Sequence, residues 1–256
     1  MNQLTIVKIG GKVIEDPKAL DTFLKDFVKI AGQKLLVHGG GRSATTLAEK
    51  LGIETQMING RRITDAKMLD ITIMVYAGLV NKTIVAKLQA LGADAIGLTG
   101  ADANLISSTK RPPKEGVDYG FVGDVQEVNA PILGEMLQQN WLPVLSPITH
   151  DGDGQLLNTN ADTIAAEIAK ALSFDFNVRL IYCFEKKGVL SDENDDNSVI
   201  RLIDKEEFQR YKEEGIITGG MIPKIENALQ AIAAGVKEVI ITSPSEMNNG
   251  KGTFIQ

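Results

Sequence analysis

Residues Leu4 to Gly11 read LTIVKIGG, a run of β-formers with a lysine near its end and two glycines directly behind. The apolar run predicts a strand, and the glycine pair predicts a corner before the next helix. Taken alone, the segment is a strand followed by a flexible turn. A second reading is a phosphate site. Glycine lets the backbone approach an anion, the next helix offers unpaired N–H groups, and Lys8 brings a full charge.

The pattern recurs. KLLVHGGG (Lys34–Gly41) is a second strand with a glycine-rich end, and RSATTLAEKLG behind it is a helix. TGGMIPK (Thr218–Lys224) places Gly219 and Gly220 before a helix that contains Lys224. Three consecutive glycines at a strand-to-helix corner point to close approach by a ligand. Between these corners, strand-like and helix-like segments alternate along the chain. That alternation predicts an α/β fold, a mainly parallel central sheet sandwiched by helices. Asp16 and Pro17 read as the cap and first position of an early helix. Asp65 to about Leu91 reads as one long helix, with Met68, Ile71, Val75, Leu79 and Ile84 near helical spacing. Its stretch ITIMVYAGLV (Ile71–Val80) is apolar nearly all round, which fits either a dimer interface or a central core helix. Lys110–Val125 reads as hairpins. The boundary between two lobes falls near residue 150, giving 1–150 and 151–256.

Composition narrows the function. The 256 residues are 43% apolar and 23% charged, as in a folded globular protein, and the net charge of −6 gives no support for nucleic-acid binding. Any anionic substrate must then be held by a few placed lysines and arginines. A single cysteine, Cys183, excludes an intramolecular disulfide, and with only His38 and His150 present a zinc site is not expected. Lys8, Lys12, Glu15 and Asp16 interrupt any signal-peptide pattern, and Ile71–Val80 is too short to span a bilayer. The expectation is a cytoplasmic protein with no membrane partner.

Neither a G-x-x-x-x-G-K-[ST] loop nor a G-x-G-x-x-G fingerprint occurs, which counts against P-loop and dinucleotide enzymes. Two further motifs matter. NTNAD (Asn158–Asp162) precedes an amphipathic helix; in isolation Asn160 or Asp162 is a helix cap. INGRRIT (Ile58–Thr64) carries Arg61 and Arg62, and an arginine fork can take a carboxylate in two parallel bonds. His38, at a strand end, reads as a local hydrogen-bonding residue.

KIGG, VHGGGRS, NGRRIT, NTNAD, GGMIPK and the closing GTFI occur in an order that resembles the acetylglutamate branch of the amino-acid kinase family, from the first strand to the last residues. That resemblance implies the amino-acid kinase fold and transfer of the ATP γ-phosphate to the γ-carboxylate of N-acetyl-L-glutamate, in arginine biosynthesis. It implies that Lys8 and Lys224 contact the transferring phosphoryl from opposite sides, with Asp162 between them. Gly11 and Gly40 would donate backbone N–H bonds to phosphoryl oxygens, while Gly10, Gly39 and Gly41 allow the approach. Arg62 would clamp the α-carboxylate of the acyl-glutamate and Asn158 would bind near its α-substituent. The N-terminal lobe would bind the acyl-amino acid and dimerise. The C-terminal lobe would carry ATP, with Glu185, Gly188 and Gly220 as nucleotide contacts and Mg²⁺ held by phosphate oxygens and water rather than by a protein metal site.

The chain departs from that pattern in two places. CFEKKGV (Cys183–Val189) stands where relatives usually read like LTDVxGV, and Ala101 and Ala103 stand where they often carry Lys and Gly. The second departure leaves N-succinyl-L-glutamate open as substrate. A non-catalytic amino-acid sensor on the same scaffold is a further alternative, disfavoured because Lys8, Asp162 and Lys224 are all kept. Arginine-inhibited members carry an extra helix before the first strand. Here the strand begins at Leu4, so the expectation is a homodimer that responds little to arginine.

Overall fold

The computed structural model describes residues 1–58 and 61–256. Asn59 and Gly60 of the INGRRIT motif lie outside the described residues. The chain runs β1 (Asn2–Ile9), a single turn α1 (Lys12–Glu15), α2 (Pro17–Phe27), β2 (Gln33–His38) and α3 (Gly41–Lys50). A short hairpin of β3 (Met57–Ile58) and β4 (Arg61–Arg62) leads into α4 (Ala66–Thr72). A π-helical stretch, Ile73–Val80, joins α4 to α5 (Asn81–Ala90). Then come β5 (Ala95–Leu98), β6 (Ile106–Lys110), β7 (Gly123–Val128), α6 (Ala130–Gln138), β8 (Leu142–Leu145), β9 (Ile148–His150) and β10 (Leu156–Asn158). The remainder is α7 (Ala161–Leu172), β11 (Phe176–Cys183), β12 (Leu202–Ile203), α8 (Lys205–Glu213), α9 (Met221–Ala233), β13 (Glu238–Thr242) and β14 (Thr253–Ile255).

Eight strands form the central sheet in the order β12-β14-β13-β11-β1-β2-β8-β5, parallel throughout except where β14 runs against β13. β1 is central, paired with β11 on one side and β2 on the other. Strand alternation sends Leu4 and Ile6 to one face and Val7 and Ile9 to the other, and each set joins a different buried cluster. The first cluster lies under α6, α7 and α9, the second under α2, α3 and the long helix. This is the layered α/β architecture that the alternation of segments predicts. β6 and β7 form the hairpin expected after Lys110, within a second sheet ordered β10-β9-β6-β7.

Local signals explain the helices. Asp16 accepts N–H bonds from Lys18 and Ala19 at 2.8 and 3.2 Å, with Pro17 behind it. The buried residues of α2, Leu20, Phe23, Leu24 and Phe27, fall on one face. The long helix departs from its expected period. The π-helical stretch closes wider turns, so the apolar face slips by about a residue per turn. Leu79, placed by its spacing on the same face as Met68, Ile71 and Val75, is 65% exposed, while Val80 beside it is buried. The continuous helix Ala66–Ala90 is long and apolar enough to cross a membrane by length and composition, a test that a buried core helix also passes. Half of its most apolar stretch is buried in the protein, where Met68, Ile71, Val75, Ile84 and Leu88 pack beneath the sheet.

His38 is fully buried at the end of β2. Its Nδ1–H donates to the Gly39 carbonyl at 2.7 Å, and its Nε2 accepts from Asn81 Nδ2 at 3.1 Å. Burial pushes the imidazole down to about 4, with Lys82 adding to the effect and the bond to Gly39 opposing it. A base depressed on folding contributes stability above its unfolded value near 6.5, lost as pH falls through its folded value. Between pH 7 and 4 this residue should remove up to about 3 kcal/mol of stability. Urea midpoints measured across that range should fall more steeply for the wild type than for His38→Gln. Equal slopes would show that His38 is not held neutral.

Candidate active site

The parallel strands β1, β2 and β11 end side by side; the carboxyl ends of β1 and β2 carry two of the glycine corners, and the third, Gly219–Gly220, lies between α8 and α9. β1 is where the strand order turns outward in both directions, the position at which open α/β sheets form a crevice. Two cavities open there, and Lys8 lines both. One, of about 220 Å³, is lined by Gly39, Gly40, Gly41, Arg62, Asn158 and Asp162. The other, of about 530 Å³, is lined by Gly10, Gly11, Phe184, Glu185, Gly188 and Lys224.

Lys8 continues the face of Leu4 and Ile6, so it points toward α7. There its Nζ meets Asp162 Oδ1 at 2.6 Å, with both residues 8% exposed. Asn160 caps α7, accepting from the N–H groups of Asp162 and Thr163 at 2.8 and 3.1 Å. The capping role and the charged role thus fall on different residues, and Asp162 is left free to face Lys8. Lys224, in the first turns of α9, approaches from the other cavity. Burial pulls its ammonium below the ordinary lysine range; Asp162 opposes this and the charge of Lys8 adds to it.

The glycines have separate reasons. Gly11 turns the chain at φ 56°, a left-handed conformation that disfavours a side chain. A Cβ on Gly40 would stand 2.7 Å from the Tyr76 ring. Tyr76 comes from the π-helical stretch, and sequence reading did not single it out. Gly220 precedes α9 and is exposed.

Arg62 is 9% exposed and lies on the β3–β4 hairpin. Its guanidinium donates to the Gly41 carbonyl and to Thr45 Oγ1, both at 2.8 Å, so its direction into the first cavity is braced. Asn158 Nδ2 donates to Thr64 Oγ1 at 3.0 Å. Arg61 and Arg111 line the same cavity, and Arg111 is held by a bidentate ion pair with Asp124. Glu185 is paired with Lys12 at 3.0 Å and with Arg42 at 3.6 Å, across the mouth of the Gly10–Gly11 corner. Ala101 and Ala103 are exposed and line neither cavity. Cys183 is buried, and burial pushes its thiol up to about 12, so it stays protonated. No cluster of three metal-ligating side chains occurs among the described residues.

Residues 3–243 match the Amino acid kinase family. The chain belongs to that family. It is 63% identical to the acetylglutamate kinase of Parabacteroides distasonis, each chain covering all of the other. It is 62% identical to that of Phocaeicola vulgatus, over 99% of this chain and 98% of that one. The structure of carbamate kinase from Giardia lamblia bound to AMP-PNP superposes with a TM-score of 0.72 at 15% identity, covering 99% of this chain and 98% of that one, which shows a common fold. In this amino acid kinase Lys8, Gly10, Gly11, Gly39, Gly40, Gly41, Arg62, Asn158, Asp162, Glu185, Gly188 and Lys224 each line one or both of the two cavities, whereas Gly220, also singled out by sequence, lines neither. Tyr76 lies in no motif, and although Thr64 ends INGRRIT and Phe184 lies in CFEKKGV, neither stretch marked the contacts these two residues make.

Gly40→Ala should cost about 1–3 kcal/mol, because the new methyl group forces the Tyr76 ring out of place. Thermal unfolding of Gly40→Ala, Tyr76→Ala and the double variant checks this. Additive losses would show that the two residues do not share the space.

Proposed function

We propose that the protein transfers the γ-phosphoryl group of ATP to the γ-carboxylate of N-acetyl-L-glutamate, giving an acyl phosphate and ADP, in arginine biosynthesis. The observation that carries the mechanism is Lys8, paired with Asp162 at the junction of two cavities. The smaller cavity suits the acyl-amino acid, and the larger one suits the nucleotide. Residues 1–150 would then serve mainly the acyl-amino acid and residues 151–256 mainly ATP.

The acceptor carboxylate has a reference pKa of about 4.3 and is already an anion at neutral pH, so no general base is required. The obstacle is repulsion between two anions and the charge on the moving phosphoryl group, and preorganised donors and cations meet it. Lys8 and Lys224 flank the junction and take the phosphoryl oxygens from its two sides. Asp162 holds Lys8 in place and limits the repulsion between the lysines. The Gly11 and Gly40 N–H groups donate to phosphoryl oxygens, with Gly10, Gly39 and Gly41 giving access. The amino end of α7 lends its partial positive charge to the cleft. Arg62 clamps the α-carboxylate and Asn158 faces the α-substituent. Asp162 and Glu185 are already engaged by cations, whereas Glu193 also lines the nucleotide cavity; Mg²⁺ enters as part of the MgATP substrate, held mainly by phosphate oxygens and water. Glu185 and Gly188 border the nucleotide, and Gly220 sets the start of the helix bearing Lys224.

Arg61 and Arg111 favour a second reading for the acyl group. Both line the acyl cavity beyond Arg62, and burial together with Arg111 pulls the Arg61 guanidinium below its usual range. A succinyl carboxylate would relieve that repulsion. We further propose a cytoplasmic homodimer, supported by Met74 and Leu79, which stand 53% and 65% exposed on the long helix.

Hydroxylamine trapping of the acyl phosphate, with N-acetyl- and N-succinyl-glutamate side by side, tests the activity and the acyl group together. Lys8→Met should lower kcat by about two to three orders of magnitude. Trapped product from neither substrate would favour a sensor.

Arg62→Lys should raise KM for the acyl-glutamate by about 10- to 100-fold, since a point charge cannot replace a bidentate fork. KM for ATP should stay nearly constant in the same assays. An equal rise in both constants removes Arg62 from the carboxylate site.

A further inference from the structure

Two ammonium groups share the junction, and only Lys8 has a carboxylate in contact. Among the described residues no carboxylate is in ion-pair contact with Lys224. Its Nζ sits instead 4.0 Å from the centroid of the Phe184 ring. The same ring lies 5.3 Å from Lys8 Nζ. The ring is itself fixed. The Phe184 N–H donates to the Thr242 carbonyl at 2.8 Å, and the ring stacks on Tyr182 at 6.2 Å between centroids. The Tyr182 hydroxyl donates to the Asp162 carbonyl oxygen at 3.2 Å. Contacts therefore close a circuit: Asp162 to Lys8, Lys8 to Phe184, Phe184 to Tyr182, and Tyr182 back to Asp162.

We propose that Phe184 is a positioning residue for phosphoryl transfer, its ring holding the Lys8 and Lys224 ammonium groups in the cleft without neutralising either. The proposal rests on the reading of those lysines as ligands of the transferred group. An aromatic face attracts a cation through its quadrupole and carries no net charge. A carboxylate in the same place would neutralise Lys224 and repel the incoming phosphate oxygens. The ring does neither, so the full charge of Lys224 remains available to the phosphoryl group. Attraction to the ring also offsets part of the cost of burying a second cation beside Lys8. That cost is visible in the ammonium of Lys224, held low first by burial, with the charge of Lys8 adding to it and Asp162 opposing.

The test compares Phe184→Leu, which keeps an apolar side chain without the ring, with Phe184→Tyr, which restores the ring. Turnover is measured with MgATP and acyl-glutamate, and the titration of Lys224 is followed in the substrate-free protein by NMR of the lysine side chains, assigned through Lys224→Arg. Phe184→Leu should lower kcat about three- to tenfold with KM for the acyl-glutamate little changed, as expected for loss of a cation–π contact. Its Lys224 should titrate at lower pH, and Phe184→Tyr should restore both readouts. A Lys224 titration that stays in place in Phe184→Leu overturns the proposal. So does a change confined to KM for ATP, which would make the ring a nucleotide contact. A displaced titration with turnover intact also overturns it, because the ring would then hold the ammonium group without serving phosphoryl transfer, whereas the lysine assignment itself falls only if Lys8→Met keeps normal kcat.

Discussion

The ion pair between Lys8 and Asp162 constrains more of this molecule than any other contact. Both charges are almost withdrawn from water, and removing one partner of such a pair costs about 3–5 kcal/mol because the other is left uncompensated. The pair joins the carboxyl end of the central strand to the first turn of α7. It therefore fixes the helix against the sheet and sets the direction of the cation at the junction. The strand's alternation and the Asn160 cap both serve this geometry: one aims Lys8 at α7, and the other frees Asp162 to receive it.

Around that pair the protein concentrates positive groups and backbone donors inside a chain whose net charge is −6. The lysines and arginines of the cleft sit on strand ends, a short hairpin and helix starts, where their directions are set by the fold. Arg62 shows how such a group is kept ready. Its guanidinium is held by a carbonyl and a hydroxyl, neither of which neutralises it. Glu185 shows the contrary arrangement, an exposed carboxylate whose bond to Lys12 and proximity to Arg42 hold it below the usual carboxylate range. Inside the cleft Asp162 answers Lys8 while Arg62 keeps neutral partners, and at the mouth Glu185 is engaged by Lys12 and Arg42, which leaves the charges of Arg62 and Lys224 available to anions.

The long helix ties the site to the opposite layer of the fold. Its π-helical stretch brings Tyr76 against Gly40, so the shape of the glycine corner depends on a helix remote in sequence. Stretches of this kind are uncommon and often mark functional sites. The same change of register turns Leu79 outward. One irregularity thus both shapes the cleft and exposes apolar surface on the outer side.

The order of strands and helices was legible in the sequence because each rests on local physics: an apolar run, a cap, a glycine where the chain must turn. LTIVKIGG, KLLVHGGG and TGGMIPK marked the corners of the site for the same reason, since backbone approach to an anion leaves a mark in residue type. What the linear chain could not carry was distance between elements. Asn160 and Asp162 were equal candidates for one cap until α7 was seen packed beside β1. Tyr76 looked like one more apolar helix residue until the π-helical register placed its ring on Gly40. Phe184 looked like a loop residue, and only the packing of β11 beside β1 and of α9 across the cleft set its ring beneath two lysines. Residue type is decided by local chemistry, and the sequence reports it directly. Which charges meet, and what lies between them, depends on contacts between segments far apart in the chain, and those exist only once the sheet has closed around β1.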